Sequence, residues 1–313
     1  MSDRYYAFGL TIDSPIRLPE AAAADDGVAV DVMVTIGGSD INVPDDRYFR
    51  EAREKRSWWQ VAPEENRLVF NCPAGLYEIK DGREIRIQPY PDANEETLKI
   101  FLLGTAMGAA QIQRGRMPIH GGAIATNRGA MIVTGGQGAG KSTMTSAFVH
   151  NGYRYLTDDV SSVDIIDGQA LIIPAYPQRK LVRDAMGPLG YDPEEAVIVD
   201  NARDKFAIRD KDNWRREPLK LSLIIELFPV GEGDGVSAQS IAGKDKLGHV
   251  AKSLYRGWMH APSGNLAPQE FKKILTIAAQ ADICRVGVPR GIDRISDIAG
   301  DIASLLDISG ERV

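Results

Sequence analysis

The residues with the clearest chemical content lie at 135–143, read as GGQGAGKST. Gly135, Gly136, Gln137, Gly138, Ala139, Gly140, Lys141 and Ser142 fit G-x-x-x-x-G-K-[ST] at every fixed position, and Thr143 follows. Glycines let a loop turn its N–H groups inward, so that they and the N terminus of the next helix surround an anion. At this spacing Lys141 reaches the β- and γ-phosphates of a nucleotide, and Ser142 offers its hydroxyl to Mg²⁺. The context agrees: 130–134 reads as an apolar strand and 143–150 as a helix.

Downstream, YRYLTDDVSSVDI places Asp158 and Asp159 at the close of an expected strand. Adjacent strand residues face opposite ways, which predicts a division of labour. One carboxylate would attend Mg²⁺, and the other would take the proton of an acceptor hydroxyl as the γ-phosphoryl leaves ATP. A pair of solvated turn aspartates is the plainer alternative. His120, alone at a strand start, reads by itself as a structural histidine. Arg179, Lys180 and Arg183 form a basic stretch that either meets phosphate or an acidic acceptor, or is simply solvated. Arg256 in LYRGW is a weaker candidate for the same work. Glu226 closes LSLIIEL as an edge glutamate or as a support to the site.

The elements that must position these groups follow from periodicity. In the first ninety residues, 28–36 alternates apolar and polar residues, and 76–90 is a hairpin pattern with Asp81-Gly82 at the turn. Trp58 and Trp59 lie in another β-like stretch. No convergent set of titratable groups occurs there, which predicts a scaffold or docking role. Helical spacing begins in 91–115, with Leu98, Phe101, Leu102, Thr105, Ala106 and Ala109 on one face. Strands are expected around Asn127-Arg128-Gly129 and at 153–157, 161–166, 170–174, 219–228 and 283–288. Helices are expected at 142–150, 242–256, 268–281 and 293–306. This predicts an α/β chain, α+β overall: a P-loop-containing mixed sheet flanked by helices, preceded by a β-rich region, with the boundary near residue 92 (1–92 and 93–313).

Composition narrows the class. A net charge of −6 argues against a surface that coats nucleic acid. No apolar run is long enough to span a membrane, and MSDRYYAFGL lacks the apolar core of a signal peptide. The two cysteines, Cys72 and Cys284, stand in no CxxC spacing, which predicts a reduced cytoplasmic setting without structural zinc.

The run IHGGAIATNRGAMIVTGGQGAGKSTMTSAFVHNGYRYLTDDVSSVD (119–164) resembles the P-loop kinase domain of the HPr kinase/phosphorylase superfamily. Looser similarity runs through AYPQRKL (175–181), EPLKLSLIIEL (217–227) and SLYRGW (253–258), so the resemblance covers roughly 93–310. Together these stretches look like the HPr-kinase-like proteins of peptide-modifying gene clusters, the lasso-peptide kinases. The resemblance implies ATP and Mg²⁺ as cofactors and His120 beside the phosphates. It implies Asp158 with Ser142 at the metal, and Asp159 with Lys141 in catalysis. The implied partners are a nucleotide and a precursor peptide phosphorylated on a serine near its C terminus, with neither nucleic acid nor membrane and a homo-oligomer left open. True HPr kinases carry E-x-R-G after the sheet, whereas this chain has PAYPQRKLVRD, with no carboxylate until Asp184. That departure, and an unlike N-terminal region, argue against HPr as substrate and against phosphorolysis. Two other readings remain: a kinase of small molecules or sugars, and a nucleotide-sensing switch with little catalysis.

Overall fold

The computed structural model describes residues 3–38, 40–43, 56–62, 65–200, 204–231, 234–261, 266–289 and 291–311. Parts of the expected N-terminal region, 1–2, 39, 44–55 and 63–64, lie outside them. The chain is mixed α/β and divides into two compact units, Met1–Arg116 with Trp258–Asn265, and Met117–Gly257 with Leu266–Val313.

The first unit is an eight-stranded sheet: β1 (Asp3–Ala7), β2 (Leu10–Ser14), β3 (Ala22–Ala23), β4 (Val32–Ile36), β5 (Trp58–Ala62), β6 (Arg67–Cys72), β7 (Gly75–Lys80) and β8 (Glu84–Pro89), in the order β3-β1-β2-β4-β8-β7-β6-β5. The β7–β8 hairpin turns on Asp81 and Gly82, at φ +56° and +62°, as their residue types predict. The first hairpin, β1–β2, turns the same way on Phe8 and Gly9. It escapes a sequence reading because phenylalanine is not a turn residue.

Helical spacing at 91–115 is realised as α1 (Glu95–Phe101), a π-helical stretch (Leu102–Ala106) and α2 (Met107–Gln113). Asn94 caps it by accepting from the Thr97 N–H at 2.8 Å. The boundary expected near residue 92 moves because this helical segment belongs to the first unit. The Tyr77 hydroxyl donates to Leu98 O at 3.0 Å, Gln113 Nε2 donates to Ile79 O at 3.0 Å, and Arg114 pairs with Asp31. Its apolar face is thereby committed to β7 and its neighbours. The division falls instead between Arg116 and Met117, and Trp258 returns to the first unit to stack on Trp59 with ring centroids 4.2 Å apart.

The second unit is built on a nine-stranded mixed sheet. It comprises β9 (Met117–His120), β10 (Gly122–Thr126), β11 (Gly129–Gly135), β12 (Tyr155–Thr157), β13 (Val160–Ile166), β14 (Gln169–Ile173), β18 (Leu219–Val230), β19 (Ser237–Ile241) and β20 (Asp282–Pro289). The main path runs β12-β10-β11-β18-β14-β13-β9, with β20 on β18 and β19 on β20. A smaller sheet, β15-β17-β16, comprises β15 (Gln178–Val182), β16 (Val197–Asp200) and β17 (Lys205–Arg209). The expected strands and helices of this half are all present, but this small sheet lies in a stretch where periodicity gave no strand.

β11 is central. It runs antiparallel to β10 and parallel to β18, which is why its sequence, AMIVT, is apolar on both faces. The helices are α3 (Lys141–His150), α4 (Asp245–Ser253), α5 (Pro268–Gln280) and α6 (Ile295–Leu305). Val250 of α4 and Ile274, Ile277 and Ala278 of α5 join Ile132, Ile224 and Ile283 of the sheet in one buried cluster. The helix expected to reach residue 256 stops at Ser253, since Arg256 takes a φ of +47° that no right-handed helix accommodates. Among the described residues no helix is long and apolar enough to cross a membrane.

Between β9 and β10 the chain passes through Gly121-Gly122 at very close range. A Cβ on Gly122 would lie 2.3 Å from Thr145 Oγ1 of α3 and 2.9 Å from Asp158 O, whereas one on Gly136 would meet nothing within 4 Å. Gly122→Ala is therefore expected to lower the stability of the second unit by about 1–3 kcal/mol. Gly136→Ala should stay within about 0.5 kcal/mol of the parent. Urea unfolding of the two variants checks this, and equal midpoints would refute the close-packing argument.

Candidate functional site

The glycine loop joins the end of β11 to the start of α3. Gly135, Gly138 and Gly140 take φ values of +147°, +78° and +85°, a backbone only glycine adopts without strain. No side chain caps the N terminus of α3, whose N-cap residue is Gly140, so its first-turn donors are not spent on a capping group. Lys141 Nζ donates to the carbonyls of Gly135 at 3.0 Å and Gly136 at 3.1 Å, so the lysine lies back along its own loop. Ser142 and Thr143 follow it in the first turn.

Asp158 and Asp159 do not close a strand. They form the bend between β12, which pairs with β10, and β13, which pairs with β9. The bend still sends the two carboxyls different ways. Asp158 is 6% exposed, and its Oδ2 accepts the Lys180 N–H at 2.9 Å. Its Oδ1 is buried and has no hydrogen-bond partner. Asp159 is nearly half exposed, and its Oδ1 lies 3.4 Å from His120 Nδ1. His120 ends β9 directly opposite Val160 in register, which explains the pairing. The backbone fastens this junction: the Gly121 N–H donates to Asp159 O at 2.9 Å, and Ser161 Oγ donates to Gly121 O at 2.8 Å.

The two aspartates differ in proton affinity. Burial, then the charge of Asp159, pushes the Asp158 carboxyl up to about 6. Burial also works to raise Asp159, but Lys180, His120, Lys205 and Lys141 outweigh it and hold that carboxyl below its ordinary value. Burial, and then the charges of Lys141 and Lys205, lower the His120 imidazole against the opposing pull of Asp159, so it is neutral near pH 7. Lys141 is lowered as well, chiefly by burial. For Lys180 burial is overcome by Tyr176, Asp159, Asp158 and Tyr255, and its ammonium is held more firmly than an ordinary lysine's.

The structure thus brings Lys141, His120, Asp159, Asp158 and Lys180 together. It does not bring in the arginines. Arg179 is fully buried, and its Nη2 donates to Asp210 Oδ2 at 2.8 Å and to the Tyr191 hydroxyl at 2.7 Å. Strand alternation turns it to the face opposite Lys180, so the expectation that it meets phosphate is corrected. Arg183 pairs with Asp204 at 2.9 Å and lies over the Phe206 ring. Arg256 is exposed and leans on Tyr255. Tyr255 itself lies 5.8 Å from the His120 ring, centroid to centroid. Glu226 is neither an exposed edge group nor part of this cluster, since it pairs with His249 Nδ1 at 2.6 Å and stands 3.7 Å from Arg285 Nε. Lys205 and Tyr255 are the residues that the sequence reading missed.

The residues fit a nucleotide with its cation. The open glycine turn suits an anion, and the orphaned, buried Oδ1 of Asp158 suits a cation. Among the described residues no group of three or more His, Cys, Asp or Glu side chains converges on a metal position. Mg²⁺ does not require one, because it keeps waters and takes phosphate oxygens beside one or two carboxylates.

No family model and no curated protein matches the chain. Among solved structures, it is similar to the HPr(Ser) kinase/phosphatase from Coxiella burnetii at 11% identity, over 61% of this chain and 93% of that one, with a TM-score of 0.31.

The raised Asp158 has a consequence for stability. A carboxyl whose folded-state value is raised stabilises the fold when protonated, and that contribution is lost as pH rises from about 4 through about 6. Asp159 acts with the opposite sign and at lower pH. In metal-free buffer, wild-type protein is expected to lose about 2–3 kcal/mol more than Asp158→Asn between pH 4 and pH 7. Parallel stability–pH curves from denaturant unfolding would rule this out.

Proposed function

We propose that this chain is an ATP- and Mg²⁺-dependent kinase. It transfers the γ-phosphoryl group to a peptide hydroxyl, a serine near the C terminus of a lasso-type precursor peptide. The observation that carries the kinase reading is the meeting of Asp159 with His120 and Lys141 beside a P-loop, with Asp158 buried behind it. The sequence resemblance supplies the peptide acceptor.

Under this reading the loop N–H groups and Lys141 hold the phosphates, Lys141 leaving the carbonyls of Gly135 and Gly136 to do so. Asp158 Oδ1 and the Ser142 hydroxyl would hold Mg²⁺, which when bound would neutralise phosphate charge. Asp159 orients the acceptor hydroxyl and takes its proton. Its lowered proton affinity keeps it ionised at neutral pH, and His120, neutral there, holds it in place. The first unit docks the precursor's leader, and its sheet, which among the described residues ends on β3 and β5, suits strand addition.

Asp159→Asn should leave ATP affinity nearly unchanged and lower kcat by about a hundredfold to ten-thousandfold. Lys141→Ala should weaken both binding and turnover. The measurement is calorimetry of nucleotide binding beside mass spectrometry of precursor peptides incubated with ATP and Mg²⁺. An unmodified peptide would remove the peptide acceptor, and full turnover by Asp159→Asn would remove the base.

A further inference from the structure

The small sheet β15-β17-β16 has two unlike faces. Arg179 and Leu181 of β15, with Phe206 and Ile208 of β17, are buried. Lys180 and Lys205 alternate onto the other face, where each is half-buried. The register pairs Lys180 with Ala207 and Val182 with Lys205, so the two lysines are diagonal neighbours on adjacent strands. Two ammonium groups so placed are about 7–8 Å apart at the backbone and repel one another.

The sheet is held against the catalytic bend by the Lys180 N–H, which donates to Asp158 Oδ2. Both lysines act on the same cluster. Lys180 is the strongest of the charges that keep Asp159 ionised, and the charge of Lys205 is felt at Asp158, Asp159, His120 and Lys141. With His120 neutral, three lysines face two carboxylates. Lys141 belongs to the glycine loop. The two sheet lysines are supplied from a different element, and both of their charges act on Asp159.

We propose that Lys205, with Lys180 beside it, contacts the γ-phosphoryl group of the bound nucleotide and stabilises its charge during transfer. This rests on the kinase reading. In the step the acceptor oxygen bonds to the γ-phosphorus as its bond to the β–γ bridging oxygen breaks. The hydroxyl proton passes to Asp159, and ADP leaves. Neither lysine gains or loses a bond; each offsets the negative charge on the equatorial oxygens. The pair takes the part that an arginine plays in other phosphoryl-transfer sites, and Arg179, Arg183 and Arg256 are all placed elsewhere.

The test compares Mg²⁺-dependent binding of ADP and of the non-hydrolysable ATP analogue AMP-PNP to the full chain by calorimetry. Lys205→Met should leave ADP affinity within about twofold and weaken AMP-PNP by about ten- to a hundredfold, the loss of one charge-assisted contact. Lys205→Arg should restore most of that loss. A merely structural role would weaken both nucleotides together, and that result overturns the assignment, as does an unchanged AMP-PNP affinity in Lys205→Met. Wild-type protein that binds neither nucleotide overturns the kinase reading and the assignment with it.

Discussion

The carboxylate of Asp158 is buried with one oxygen satisfied and one left over, and the site is arranged around that imbalance. Removing a carboxylate from water is costly unless its lone pairs are met. Here one oxygen takes a backbone N–H from β15, which ties the small sheet to the Asp158-Asp159 bend. The other has no hydrogen-bond partner among the described residues, and burial drives the group toward its protonated form. Under the proposed function, a cation seated at that oxygen would meet the lone pair that the fold leaves without a partner. The same side chain that carries this imbalance also anchors the lysine-bearing sheet.

Asp159 shows what a change of one residue in sequence does in such a bend. It shares the same cations but remains half open and ionised, next to an imidazole held neutral by its surroundings. Two adjacent carboxyls with opposite proton affinities suit two different tasks. The glycine pair after His120 makes the arrangement compact, since any side chain there would collide with β11 or α3.

Much of this was legible in the sequence because it rests on local rules. The P-loop, the Asp81-Gly82 hairpin, the apolar β11 and the helices of the second unit all follow from spacing and residue type. What escaped depends on distant partners. Lys205 lies on a short strand that pairs with β15, where its own partner is Val182, well upstream in sequence, and no period marks it. Arg179 and Lys180 look alike as basic neighbours, yet alternation in that unrecognised strand buries one and presents the other. The distance between the expected boundary and the division after Arg116 has the same origin: helical spacing identifies a helix, but not the sheet on which it packs.

The return of Trp258 to the first unit bears on how the chain is made. A ribosome delivers Met1–Arg116 first, at about 5–20 residues per second, so the Trp258 ring follows on the order of ten seconds later. Through that interval Trp59 stands without its stacking partner on a strand that, among the described residues, is the edge of the sheet. Exposed aromatic surface on an unpaired edge is what chaperones bind and what drives misassembly. Early folding of the N-terminal sheet is thus incomplete by construction, and the Met117–Gly257 part of the second unit must be synthesised before the first is closed.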